Sequence, residues 1–333
     1  MNLNNHKSKT QTNTAVLFLI FNRKETTAKV FEMIRKAKPS RLYVAADGAR
    51  TYKKNEDIKT IKVREIATKV DWPCEVKTLF RNQNLGCKKA ISEAINWFFD
   101  HEEQGIILED DCVPHIDFFS YCHNLLERYK KNDNILAVAG TSFYSNQLPQ
   151  ETSYYFSKYI PCWGWATWRR AWNHYKNDIS FWPEWSGSHH WSNFTPDKVE
   201  RIYWERIFNM VKAGKIDSWA YPWTASIWYN GGLVACPSVN LVSNIGFGID
   251  STHTNNQNNK ISNMPVRELG ILKHPTKIER SLEADIWIFN NIYGGKNLRF
   301  PYNWIFFPSR VLRYIYRNLK KLISKSIKNK STT

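Results

Sequence analysis

The first apolar block along the chain is AVLFLIF at 15–21, which follows the polar stretch MNLNNHKSKTQTNT. A run of this length without alternation fits a strand covered on both faces. Asn22 and Arg23 come next, then Val30, Phe31 and Ile34 at helical spacing, so the segment reads as strand then helix. The unit repeats. RLYVAADG (41–48), CEVKTLFRN (74–82), GIILEDD (105–111) and ILAVAG (135–140) read as further strands, alternating with helical patterns over 57–70, 88–101 and 117–130. Strands alternating with helices at this spacing predict an α/β fold with a mostly parallel sheet flanked by helices, and a ligand crevice at the carboxyl ends of the strands.

From about residue 145 the alternation is lost. The aromatic segments YIPCWGWATWRRAW (159–172) and FWPEWSGSHHW (181–191) read as loop-rich, with a helix over 197–213 and a short strand in LVACPSVNLVSNIG after them. At the end, SRVLRYIYRNLKKLISKSIKNKS carries eight Lys/Arg and no acid, with Val311, Leu312, Ile315, Leu319, Leu322 and Ile323 at helical spacing. This predicts a basic amphipathic helix suited to an anionic membrane surface.

Composition sharpens the picture in three places. The 333 residues include 15 Trp, 16 Tyr and 18 Phe, more than a core of this size requires, so part of the aromatic content is expected to stack on sugar rings or bases. The formal charge of +17 favours polyanionic partners. Six Cys lie without a CxxC pair or zinc spacing, which predicts reduced thiols and a cytoplasmic protein, peripheral at most to the inner face of the membrane. No run of about 18 apolar residues is present.

Candidate chemistry concentrates at the predicted strand ends. Glu109, Asp110 and Asp111 follow the apolar GIIL, where three adjacent carboxylates repel one another and demand a compensating cation. Mg²⁺ or Mn²⁺ suits oxygen ligands and would bridge to a diphosphate. The structural alternative is an acidic helix start, since Pro114 and Asp117 follow. Arg23 and Lys88 are candidate phosphate contacts and Asp47 a candidate acceptor for a uracil or guanine N–H.

NLGCKKAISEAINWFFDHEEQGIILEDDCVPHIDFFSY resembles the core of GT-A glycosyltransferases, particularly the animal β-1,2-N-acetylglucosaminyltransferases, in which a strand ends in EDD before a Pro-x-x-Phe-Phe helix start. ILAVAG with PCWGWATWRRAW, and SWAYPW through SNIGFGIDSTHT, are similar to later parts of the same group, and similar segments occur in bacterial proteins of surface-polysaccharide synthesis. The resemblance covers about residues 14–255. It implies a UDP-sugar donor and a glycan or lipid-linked acceptor, with Glu109 near the donor sugar, Asp110 near the ribose, Asp111 on the metal, Arg23 on the diphosphate and Asp47 on the uracil. Asp217 is the implied general base of an inverting transfer, although the family pairs two acids there and this chain has Asp217 then Ser218. As a structural alternative, Asp217 caps the following helix.

His253 is a candidate to close over the donor as a metal or phosphate ligand, as a late His does in many such enzymes. Trp163 and Trp165 are candidate acceptor-stacking residues, and Trp168 is assigned to the core. The chain then divides into a 1–13 tail, a nucleotide-sugar-binding half at 14–145, an acceptor-binding and catalytic half at 146–300, and the basic segment 301–333. Two other classes stay open: a nucleotidyltransferase-type enzyme on a similar sheet, though no Gly-rich phosphate loop follows the first strand, and a basic, aromatic nucleic-acid binder, which the EDD cluster would oppose.

Overall fold

The computed structural model describes residues 13–145, 151–247 and 261–301. The alternating part is β1 (Val16–Ile20), α1 (Lys24–Ala37), β2 (Arg41–Ala46), α2 (Glu56–Ala67), β3 (Glu75–Phe80), α3 (Cys87–His101) and β4 (Gln104–Glu109), then a short β5 (Cys112–Pro114), α4 (Asp117–Arg128) and β6 (Ile135–Ala139). β1 and β6 are buried at every position, as their unbroken apolar runs require. α1 buries Val30, Phe31, Ile34 and Ala37, one face at i, i+3, i+4 spacing, and stops where Lys38 takes a left-handed conformation ahead of Pro39.

After residue 145 the chain holds β7 (Tyr154–Ser157), β8 (Trp165–Trp168), α5 (Arg169–Trp172), α6 (Trp182–Ser186), α7 (His189–Phe194), α8 (Lys198–Lys212), α9 (Ala220–Tyr229), β9 (Leu233–Pro237), β10 (Val242–Asn244) and α10 (Leu282–Asn291). The expected helix over 197–213 and strand in LVACPSVNLVSNIG are present as α8 and β9, while the segments read as loop-rich are in fact structured and complete the sheet. The eight-stranded order is β3-β2-β1-β4-β8-β6-β9-β7, with β5 and β10 forming a separate antiparallel pair. Six strands share one direction, while β8 and β7 run against them. β8 escapes periodicity because WATW is only four residues long and buried on both faces, so it shows neither alternation nor an aliphatic run.

Most of the aromatic excess is core. Eleven of the fifteen Trp are buried, which leaves few indoles for ligands among the described residues. Trp182, Trp191, Trp204 and Trp228 pack with Phe208 beneath α8 and α9, with ring centroids 4.9–6.2 Å apart. As the sequence suggested, Trp168 is interior, and its indole N–H donates to Leu126 O at 3.0 Å.

The strand order also fixes where a ligand can sit. From β1 the chain winds outward through β2 to β3, then returns to place β4 on the other side of β1. Right-handed crossovers therefore put α1 and α2 on one face and α3 and α4 on the other. The gap between β1 and β4 is the switch point at which such sheets open a crevice.

Candidate functional site

Register places the expected residues at that crevice. Leu19 lies opposite Glu109 and Ile20 opposite Ala46, so Phe21–Arg23, Asp47 and Glu109–Asp111 all emerge at one edge. Antiparallel β8 contributes its start: Ile107 faces Trp165, which brings Trp163 beside the end of β4.

Asp110 and Asp111 are buried, and Glu109 keeps partial exposure. The compensating cation that the sequence demanded is, within the described residues, Arg23. Its Nη1 donates to Asp111 Oδ2 at 2.8 Å and its Nη2 to Asp110 Oδ1. Asp110 also accepts the Phe21 N–H at 3.2 Å. Here Arg23, expected on a diphosphate, is engaged by carboxylates, because it rises from the neighbouring strand end into the field of three acids. Burial works against its charge, and Asp110 and Asp111 outweigh that and hold the guanidinium above its ordinary value.

One guanidinium does not balance three carboxylates. Burial, with the charge of Asp111 next, pushes the Glu109 carboxyl well up; burial also pushes Asp110 up, against the pull of Arg23. An all-oxygen donor set with surplus negative charge fits a hard divalent cation. No three His, Cys, Asp or Glu side chains converge on one point among the described residues. Such a cation needs only one or two carboxylates when a substrate supplies phosphate oxygens. His253 lies outside the described residues. A lid covers the cluster: β10 pairs with β5, Ile245 N–H donates to Asp111 O at 2.9 Å, and Gly246 sits so close that a Cβ there would collide with Asp111 Oδ2.

Asp47 has a different partner set from the one expected. Its Oδ1 accepts the N–H groups of Gly48 and Leu85 at 2.9 and 3.0 Å, and its Oδ2 those of Leu85 and Gly86 at 3.1 and 3.0 Å. Both oxygens are committed to main chain, so the carboxylate anchors the loop leading into α3 rather than standing free for a uracil. Gly48 packs on the backbone of Gln83, leaving no room for a Cβ. Replacing Asp47 by Ala leaves the Leu85 and Gly86 N–H groups without an acceptor among the described residues, while the Gly48 N–H keeps Gln83 O at 3.3 Å, and is expected to lower the unfolding free energy by about 1–3 kcal/mol, read from urea denaturation.

Asp217 joins the same edge from a separate part of the chain. It is exposed, makes no hydrogen bond among the described residues, and its Oδ2 lies 3.8 Å from the position a Cβ on Gly86 would take. The capping alternative fails, since Trp219 is the N-cap of α9 and the Ala220 N–H donates to Ser218 Oγ. Cys87, opening α3, registers the convergence: burial first, then the negative charges of Glu109, Asp217 and Asp47, push its thiol up to about 12. Nothing in the sequence pattern marked Cys87, which carries no motif. It is expected to resist alkylation near pH 7 because almost none is thiolate, as iodoacetamide labelling followed by mass spectrometry would show.

Two expected contacts separate from this group. Trp165 has no exposed surface and stacks on Trp219 at 5.6 Å, so it is core and not an acceptor platform; its place in β8, between β4 and β6, turns it inward. Trp163 stays half-buried at the edge, edge-to-face with Phe143 and Phe247 at 5.5 and 5.6 Å. Lys88 lines a cleft of about 400 Å³ with Leu85, Ser92, Asn96, Tyr175 and Asp217, on the α3 side of the carboxylates. Sequence reasoning also missed Arg50, which lies over the Phe21 ring at 5.3 Å and pairs with buried Glu56, itself bonded to Asn22 Nδ2 at 2.9 Å. Only the fold brings these residues together.

No helix among the described residues is long and apolar enough to cross a membrane. No protein-family model matches the chain, and no curated protein matches it. Among solved structures, HddC from Yersinia pseudotuberculosis is similar at 13% identity over 51% of this chain and 86% of its own, with a TM-score of 0.31. The 4-diphosphocytidyl-2C-methyl-D-erythritolsynthase from Anaerococcus prevotii DSM 20548 is similar at 9% identity over 53% of this chain and 78% of its own, with a TM-score of 0.30. At these scores the likeness carries no argument about activity.

Proposed function

We propose that the chain is a metal-dependent, inverting glycosyltransferase that moves a sugar from a nucleotide-diphosphate sugar, a UDP-sugar in the first instance, to a hydroxyl of a glycan or lipid-linked saccharide. The observation that carries this reading is the pairing at the sheet's switch point of an incompletely neutralised carboxylate cluster with a carboxylate from another segment, Asp217, that has no partner among the described residues. A Mn²⁺ or Mg²⁺ ion held by Asp111 would supply the positive charge that a departing diphosphate requires. Arg23 bonds Asp111 through Nη1 and Asp110 through Nη2, and its further N–H groups would reach diphosphate oxygens, with Glu109 and Asp110 bordering the donor sugar and ribose. Asp217 takes the proton of the acceptor hydroxyl as its oxygen bonds to the anomeric carbon. The bond from that carbon to the diphosphate breaks, and the nucleoside diphosphate leaves with the electron pair. The basic segment at 309–331, outside the described residues, would hold the enzyme at an anionic membrane surface where a lipid-linked acceptor resides.

The test is product analysis. Incubated with a panel of UDP-, GDP- and dTDP-sugars and Mn²⁺, the protein is expected to release the nucleoside diphosphate from one of them, slowly with water and faster with acceptor. Release of pyrophosphate from a nucleoside triphosphate and a sugar 1-phosphate, with no nucleoside diphosphate from any sugar, would show nucleotidyl transfer instead.

A further inference from the structure

We infer that the cleft between α3 and the segment at 173–177 receives the acceptor, and that the acceptor end bound there is a neutral saccharide. This rests on the sugar-transfer reading of the carboxylate edge and adds where the second substrate sits and what it is.

The cleft lies where an acceptor must lie. Asp217 lines it, and its Oδ2 lies 3.8 Å from where a Cβ on Gly86 would sit, at the glycine whose N–H Asp47 holds at 3.0 Å. A hydroxyl at the inner end of the cleft would therefore reach the base and face the carboxylate edge together. Its volume of about 400 Å³ falls within the range of roughly 300–1,000 Å³ in which small-molecule sites occur.

Its chemistry suits a polyhydroxyl ring. Tyr175 forms one wall, fixed by stacking on Trp172 at 4.3 Å and 10° between planes. A pre-set aromatic wall suits the CH face of a pyranose. Asn96 Oδ1 accepts the Trp172 indole N–H at 2.7 Å, and Asn177 Oδ1 accepts the Tyr175 hydroxyl at 3.2 Å. Both amides are oriented by these bonds, and each keeps its NH₂ to donate. Lys88 adds a third donor with no ion pair among the described residues, and Asp217 is an acceptor.

The charge balance selects a neutral ligand. Two lysines, Lys88 and Lys89, face two carboxylates, Glu93 and Asp217, so the lining sums to zero in a protein of formal charge +17. A site for a phosphate or an acidic sugar would carry the excess of the rest of the molecule. Trp163, on the other side of the end of β4, becomes part of the lid packing with Phe247.

The probe is a panel of methyl α- and β-glycosides of glucose, galactose and N-acetylglucosamine, followed by saturation-transfer NMR. UDP-sugar binding is measured in parallel by calorimetry. The wild type is expected to bind at least one glycoside, and Tyr175→Ala to bind it about tenfold more weakly, the loss of one aromatic contact. Asn177→Ala, at an exposed position, is expected to weaken it too with its urea midpoint unchanged, while nucleotide-sugar affinity holds in both variants. The inference is overturned if the wild type binds none of the glycosides, if both variants bind as the wild type does, if only Trp163→Ala abolishes binding, or if inorganic phosphate competes more strongly than any glycoside. Glycoside binding without any nucleotide-sugar binding would leave the cleft intact and remove the transferase reading instead.

Discussion

In metal-free buffer, Arg23→Ala is expected to lower the unfolding free energy by about 3 kcal/mol near pH 8, and by much less near pH 4. Arg23 is the cation bonded to Asp110 and Asp111, and with it gone three carboxylates share one strand end with no positive partner among the described residues. The sign follows from the direction of the shifts. Glu109 and Asp110 already hold protons more tightly in the folded chain than ordinary carboxylates near pH 4 do, so over that window the folded state binds more protons than the unfolded one. Stability from these groups is therefore full in acid and falls as pH rises through the raised values. Arg23 opposes that fall, and its removal steepens it. Urea denaturation of wild type and variant across this range reads the difference, and Mn²⁺ is expected to restore part of the lost stability at the alkaline end. An equal loss at both ends would show that Arg23 acts by packing alone.

Asp217→Asn is expected to reduce turnover by a factor on the order of 10²–10⁴, the usual contribution of a positioned general base, with donor affinity unchanged. The substitution keeps the shape and removes the basicity. Because Asp217 is exposed and makes no hydrogen bond among the described residues, the fold should not notice, and urea midpoints should coincide with wild type. A split of this kind separates a base from a residue that only shapes the site. Wild-type turnover in the variant would move the base to another carboxylate, and Glu93, in the same cleft, would be the next to test.

β1, β2, β4 and β6 were legible because burial on both sheet faces writes itself as apolar runs, which edge strand β3 and short β5 lack, and EDD after GIIL was legible because acids at that point contradict the strand before them. The partner of those acids was not. Arg23 meets Asp110 and Asp111 across 87 and 88 positions, through the pairing of β1 with β4, and no local spacing encodes that. Asp47 was placed at the correct edge, but its partners are backbone groups of the loop before α3, which carry no side-chain signature. Trp165 misled because an indole suits a ligand site as well as it suits a core, and only the antiparallel insertion of β8 decides between them. The cleft on α3 combines Ser92 and Asn96 of one helix with Tyr175 and Asp217 of two distant loops, so it exists only in three dimensions.

The most direct test of the central claim is calorimetric titration of UDP-, GDP- and dTDP-sugars, with and without Mn²⁺, into wild type and Asp111→Ala. Binding of one nucleotide sugar that needs the metal and disappears in the variant is the predicted result, and it would fix the donor and its site together. Binding that is unchanged by metal and by the loss of Asp111, or no binding of any nucleotide sugar to the folded wild type, would contradict the assignment of the carboxylate edge as a metal-dependent sugar-transfer site.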